Sequence, residues 1–101
     1  MIIHQREISY RENYSEFFEA IVKVKAHVEK KYPEISVEVM YNLAGQRGRV
    51  TIQTRYASLA EYERIDAELD KDKEYSKLLE SIISATGNMP VDQFYRVIKS
   101  A

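Results

Sequence analysis

Residues Gly48 to Glu61 constrain the fold of this chain more than any other stretch. Val50, Ile52 and Thr54 alternate with Arg49, Thr51, Gln53 and Arg55, the period of a strand with two different faces. Ser58 and Glu61 follow as an S-x-x-E capping box, in which each side chain satisfies a backbone donor left over at a helix start. A strand therefore runs straight into a helix near the middle of the chain. The segment fixes an order of elements and names no reaction.

The rest of the order follows from periodicity. Ile2 to Ser9 reads as a first strand, with Ile2, His4, Arg6 and Ile8 on one face and Ile3, Gln5, Glu7 and Ser9 on the other. Asn13 and Glu16 offer a cap for a helix reaching about Lys31. Its stripe is Phe17, Ile21, Val24, Val28 and Tyr32, and Pro33 stops it. Ile35 to Leu43 reads as the second strand. The turn Ala44 to Gly48 joins it to the third as an antiparallel hairpin. After Ser58 one helix carries Leu59, Tyr62, Ile65 and Leu69. The polar run Asp70 to Glu74 interrupts it, and a second helix carries Tyr75, Leu78, Leu79, Ile82 and Ile83. Gly87 caps that helix, and Val91 to Lys99 is the last strand.

At 101 residues the chain is read as one domain, residues 1–101, with a core of modest size. A net charge of −1 gives no reason to expect nucleic acid or an anionic membrane as partner. No apolar run approaches the ~18 residues of a membrane span. The N-terminus lacks the apolar core of a signal peptide, so a cytoplasmic protein is expected, and Asn13-Tyr14-Ser15 is read as a chance glycosylation match. There is no cysteine, which removes disulfides, thiol catalysis and thiolate metal sites. No cofactor and no metal are expected. Asp70, Asp72 and Glu74 lack the glycine and distal glutamate of a calcium loop, and are read as a solvated turn.

Merging the two central helices leaves the β-α-β-β-α-β plan of an α+β, ferredoxin-like fold. A four-stranded antiparallel sheet would carry its helices on one face. The other face has nothing in this chain to cover it, and two such sheets facing each other would close a homodimeric α/β barrel. Arg49 to Glu63, Asp72 to Leu79, Phe94 to Ile98 and the opening His4-Gln5-Arg6-Glu7 resemble the dimeric α/β-barrel superfamily, the NIPSNAP-like proteins in particular. The resemblance covers nearly the whole chain and rests on element patterns. The superfamily includes antibiotic-biosynthesis monooxygenases, polyketide cyclases, lactone isomerases and haem-degrading enzymes, and fold alone does not choose among them. The haem-degrading relatives rely on a tryptophan, and this chain has none.

His4 is the sharpest candidate for chemistry. Some cyclases of the superfamily use a first-strand histidine as base, and an imidazole titrates where that work is done. The competing reading is a hydrogen-bonded interior histidine. His27 is read as a surface residue. Arg6, Arg55 and Glu38 would point into the barrel together, either to bind a carboxylate or enolate or to form an ion pair holding the sheets. Asn42 and Gln53 would donate to a ligand or satisfy each other. Tyr95, with Tyr10, Tyr41 and Tyr56, would line an aromatic pocket or pack. Tyr14, Tyr32, Tyr62 and Tyr75 are expected only to pack.

Two functions remain open. One is a homodimer that binds a small aromatic or polyketide-like molecule in the barrel interior and transforms it as an isomerase, cyclase or monooxygenase would. The other is a protein-interaction module whose barrel is filled by side chains.

Overall fold

The computed structural model describes residues 1–10, 14–41, 48–85 and 90–98, in the order β1 (Ile2–Ser9), α1 (Tyr14–Lys31), β2 (Ser36–Tyr41), β3 (Arg49–Tyr56), α2 (Leu59–Leu69), α3 (Lys73–Ala85) and β4 (Val91–Arg96). This is the expected α+β, ferredoxin-like order. β2 and β4 are shorter than the sequence patterns implied. Asn13, Asn42, Gly87 and the turn from Ala44 to Arg47 lie outside the described residues.

The four strands form one antiparallel sheet in the order β2-β3-β1-β4. Its register sets Gln5 opposite Gln53, His4 opposite both Thr54 and Phe94, and Arg6 opposite both Ile52 and Asp92. Alternation then decides everything about the two faces. Ile2, Ile8, Val37, Val50, Thr54 and Tyr56 are buried, and they all belong to the face that the helices cover. The opposite face carries Gln5, Glu7, Glu38, Arg49, Gln53, Arg55 and Tyr95.

α1 supplies the deepest part of the core. Phe17, Ile21, Val24 and Val28 are buried along one stripe, as their spacing requires, with Tyr32 just past the last turn. Lys30 and Lys31 sit at the negative end of the helix dipole. Ile65 and Leu69 of α2 and Ile82 of α3 close the core from the other side. The Tyr32 hydroxyl is buried and has no hydrogen-bond partner among the described residues. A buried unpaired donor costs free energy that a phenyl ring would not. Tyr32→Phe is therefore expected to raise stability by about 1 kcal/mol, read as a higher urea midpoint at unchanged m-value.

The helix starts are built from side chains. Ser58 accepts a hydrogen bond from the Glu61 amide at 3.1 Å, as the capping box requires. Glu61 reaches back one residue further than the motif implies, to the amide of Ala57 at 3.0 Å. Asp72 starts α3, accepting from the Tyr75 amide at 3.1 Å. The same carboxylate accepts from His27 Nε2 at 2.7 Å and Lys31 Nζ at 2.9 Å. Those three bonds hold its carboxyl well below the usual carboxylate range, the His27 bond contributing most. His27, expected at the surface, is half-buried and ties α1 to the start of α3. Gly48 has φ +80°, a conformation that glycine adopts without a Cβ penalty, and its carbonyl accepts from the Tyr10 amide at 2.9 Å. Among the described residues no helix is long and apolar enough to cross a membrane.

Candidate functional site

The two isoleucines that bracket the middle of β1 decide where its polar residues go. Ile2 and Ile8 must be buried against the helices, so His4 and Arg6, which share their face, are carried inward with them. Both line a cavity of about 210 Å3 between the sheet and the helices. Val24, Val28, Val37, Ile52, Leu79 and Ile82 form its apolar floor, and Tyr56, Tyr62 and Tyr75 add three phenol rings.

Asp92 of β4 joins the two basic groups. It lies opposite Arg6 in the register and accepts from Arg6 Nε at 2.7 Å and Nη2 at 3.2 Å. His4 Nε2 lies 3.0 Å from the same carboxylate oxygen as Arg6 Nε. The Arg6 bonds hold the Asp92 carboxyl below its ordinary range, with His4 adding to them. The Arg6 guanidinium is held protonated in turn, chiefly by the Asp92 bond. An ionised carboxylate only accepts, so Nε2 of His4 carries a proton. In the neutral imidazole this leaves the lone pair on Nδ1, the nitrogen not committed to Asp92.

Aromatic rings fix the imidazole plane. Phe94 stacks on His4 with ring centroids 4.6 Å apart and an interplanar angle of 16°. Tyr62 lies edge-on to Phe94 at 4.9 Å and to Tyr56 at 5.2 Å. Burial raises the phenol pKa values of Tyr56, Tyr62 and Tyr75. At neutral pH these residues therefore present O–H groups and ring faces, not phenolate charge.

The structure divides the residues that the sequence grouped together. Arg6 does not meet Arg55 and Glu38, because the register sets Arg6 opposite Ile52 but Glu38 opposite Gln53, and neighbouring positions of β3 point to opposite sides of the sheet. The expectation that all three share one interior is corrected by the burial of Ile2 and Ile8. On the open face, Arg55 Nε is 3.9 Å from Glu38, Gln5 donates to Gln53 at 2.7 Å, and Tyr95 donates to Gln93 at 2.6 Å. Arg49 donates to Glu7 there at 2.8 Å. Asn42 lies outside the described residues. Tyr62 and Tyr75, expected only to pack, help build the cavity wall. Asp92 was not singled out by the sequence at all. Its partner Arg6 is 86 residues away, and only the β1–β4 register brings them together.

No protein-family model matches the chain. No curated protein matches it either. Solved structures do. An uncharacterised NIPSNAP domain protein from Burkholderia xenovorans superposes with a TM-score of 0.80 at 13% identity, over 100% of this chain and 96% of that one. A candidate antibiotic biosynthesis monooxygenase from Caulobacter crescentus gives a TM-score of 0.81 at 12% identity, over 97% and 90% of the two chains. A NIPSNAP family protein from Agrobacterium tumefaciens gives 0.77 at 12% identity, over 99% and 88%. The likeness is one of fold, and it agrees with the resemblance read from the sequence.

Proposed function

We propose that this chain binds a small aromatic molecule in the cavity between sheet and helices, and that His4 exchanges a proton with it. One observation carries the reading: an imidazole oriented by a shared carboxylate stands in the wall of a largely apolar, aromatic cavity. An apolar pocket with a few convergent polar groups is the usual form of a small-molecule site. Asp92 fixes the tautomer of His4 and would stabilise the imidazolium formed when Nδ1 takes a proton from an acidic C–H or O–H. Return of that proton to a different atom of the bound anion would complete an isomerisation, with no other reactant needed. Arg6 is a positioning residue in this scheme, since its Nε and Nη2 hold Asp92. The site belongs to a single chain and lies outside the barrel interior.

The test is NMR in D2O with aryl ketones that bear exchangeable α-hydrogens. Shifts should gather on His4, Tyr62 and Tyr75, and His4→Gln should abolish protein-catalysed deuterium uptake while leaving binding nearly intact. Shifts gathered on Gln53 and Arg55 would move the site to the open sheet face. No shift at any residue would sink the reading.

The second reading, an interaction module with a filled barrel, draws on the polar pairs of the open face. Arg49–Glu7, Arg55–Glu38 and Gln5–Gln53 already satisfy one another, and such a face suits a second copy of this chain, because both signs of charge are present for a two-fold partner. A homodimer formed this way is compatible with the ligand site, which opens on the other side of the sheet.

A further inference from the structure

Removal of a proton from carbon leaves an electron pair that has to settle elsewhere on the ligand. A hydrogen-bond donor already aimed at the atom where that charge gathers lowers the barrier. Tyr75 stands in the same cavity wall as His4 and Arg6. It lies in the first turn of α3, and its amide donates to Asp72 at 3.1 Å. Asp72 is itself bonded to His27 and Lys31 of α1, so the turn that carries Tyr75 is tied to the neighbouring helix.

The Tyr75 hydroxyl donates to no group among the described residues, so it is available to a ligand. Burial holds the phenol above its ordinary range and keeps it protonated at neutral pH, which makes it a donor. Arg6 is the charged group that acts on it most strongly, ahead of Asp66, Asp70 and Asp92. For Tyr62 the order is reversed, with Asp66 ahead of Arg6. Tyr75 is therefore the phenol whose hydroxyl is coupled to the Arg6–Asp92–His4 group, while Tyr62 packs its ring on Phe94 and Tyr56. Asp66 and Asp70 are exposed, and solvent screens their charges.

We infer that the ligand of this cavity is a carbonyl compound with an acidic C–H next to its C=O, and that Tyr75 is a second catalytic residue whose hydroxyl donates to the carbonyl oxygen. This inference rests on the ligand-binding reading above and narrows it from any acidic C–H or O–H to one class. The step balances within the ligand. His4 Nδ1 takes the α-proton, the C–H pair becomes the C=C bond of an enolate, and the C=O pair moves onto the oxygen facing the Tyr75 O–H. Tyr75 keeps its proton throughout. Its hydrogen bond strengthens as the oxygen gains charge, so it favours the enolate-like state over the ketone. The reverse movement returns the proton to carbon. At about 210 Å3 the cavity takes a molecule of roughly one ring and a short side chain, the size of a simple aryl ketone.

Propiophenone and propylbenzene, one shape with and without the carbonyl, test it in the parent and in Tyr75→Phe, which keeps the ring and loses the hydroxyl. Deuterium uptake at the propiophenone α-carbon, followed by NMR, is expected to slow about 10²–10³-fold in the variant, the cost of losing one such donor. Propylbenzene should bind parent and variant alike. The infrared C=O stretch of bound propiophenone is the readout that a merely structural role would not move. It should lie at lower frequency in the parent than in Tyr75→Phe. Unchanged exchange in the variant, or one C=O frequency in both proteins, overturns the inference and leaves the ligand-binding reading standing. Weaker propylbenzene binding in the variant also overturns it, since the hydroxyl then acts through packing. A parent that lowers the frequency but catalyses no exchange overturns the catalytic roles of Tyr75 and His4 alike. Failure of both probes to bind the parent overturns the inference and the ligand-binding reading together.

Discussion

Phe17→Ala is expected to lower stability by about 3–5 kcal/mol, the largest loss of any single truncation in this chain. Phe17 is fully buried on the inner stripe of α1, with Tyr10 and Phe18 as ring neighbours at 5.1 and 5.7 Å. Removing the ring loses its transfer free energy and leaves a void, because the surrounding side chains sit on a helix and a sheet that cannot both close on it. A domain of this size has about 5–15 kcal/mol in hand, so the variant should be partly unfolded near physiological temperature. Phe18→Ala is the control. Phe18 is only half-buried and meets the exposed Tyr41 edge-on at 6.3 Å, so its loss should cost less than half as much. Urea unfolding of both variants measures the difference. Equal losses would place the core elsewhere than on the Phe17–Ile21–Val24–Val28 stripe.

That stripe was legible in the sequence because a helix repeats its inner face every three to four residues, and five apolar residues obeyed the period. The Ser58–Glu61 box and the break at Asp70 to Glu74 were legible for a similar reason: caps and turns are local, and local chemistry writes itself into neighbouring residues. The faces of the strands were harder to read. On β1 each alternating set mixes apolar and polar residues, so periodicity yields two sets without saying which is inside. Ile2 and Ile8 against the lone Ile3 held the answer, and weighing them would have turned His4 and Arg6 toward the helices. Arg55 and Glu38 then fall on the opposite side by the pairing register, a property of three strands that no one strand contains. Asp92 is the extreme case. An aspartate in a short exposed strand carries no local signal, and its importance comes wholly from lying opposite Arg6. Tyr62 and Tyr75 looked like packing residues because a cavity between helices has no sequence period of its own.

Asp92→Asn is expected to slow His4-dependent proton exchange by roughly 10²–10⁴-fold while changing stability by no more than about 1 kcal/mol. The two effects separate for a physical reason. The Arg6–Asp92 pair is about one-third exposed on both sides, so solvent screening leaves it a small share of folding free energy. Proton transfer depends on the same carboxylate far more strongly. The amide that replaces it can donate to Nε2, which would reverse the tautomer and put the proton on the nitrogen that has to accept one. It also removes the negative charge that stabilises the imidazolium. Asp92→Glu keeps that charge and should recover part of the rate, which a merely structural role for Asp92 would not predict. The acid limb provides a second readout. The folded-state pKa of Asp92 is depressed, so its contribution to stability is present above the unfolded carboxyl value near ~4 and is lost as pH falls through the lower folded value. Parent and Asp92→Asn should therefore differ in melting temperature at neutral pH and converge below about pH 4. An exchange rate that survives Asp92→Asn would mean that His4 works without an orienting partner or is not the base. A rate that falls in step with stability would mean that Asp92 only holds the edge strand in place.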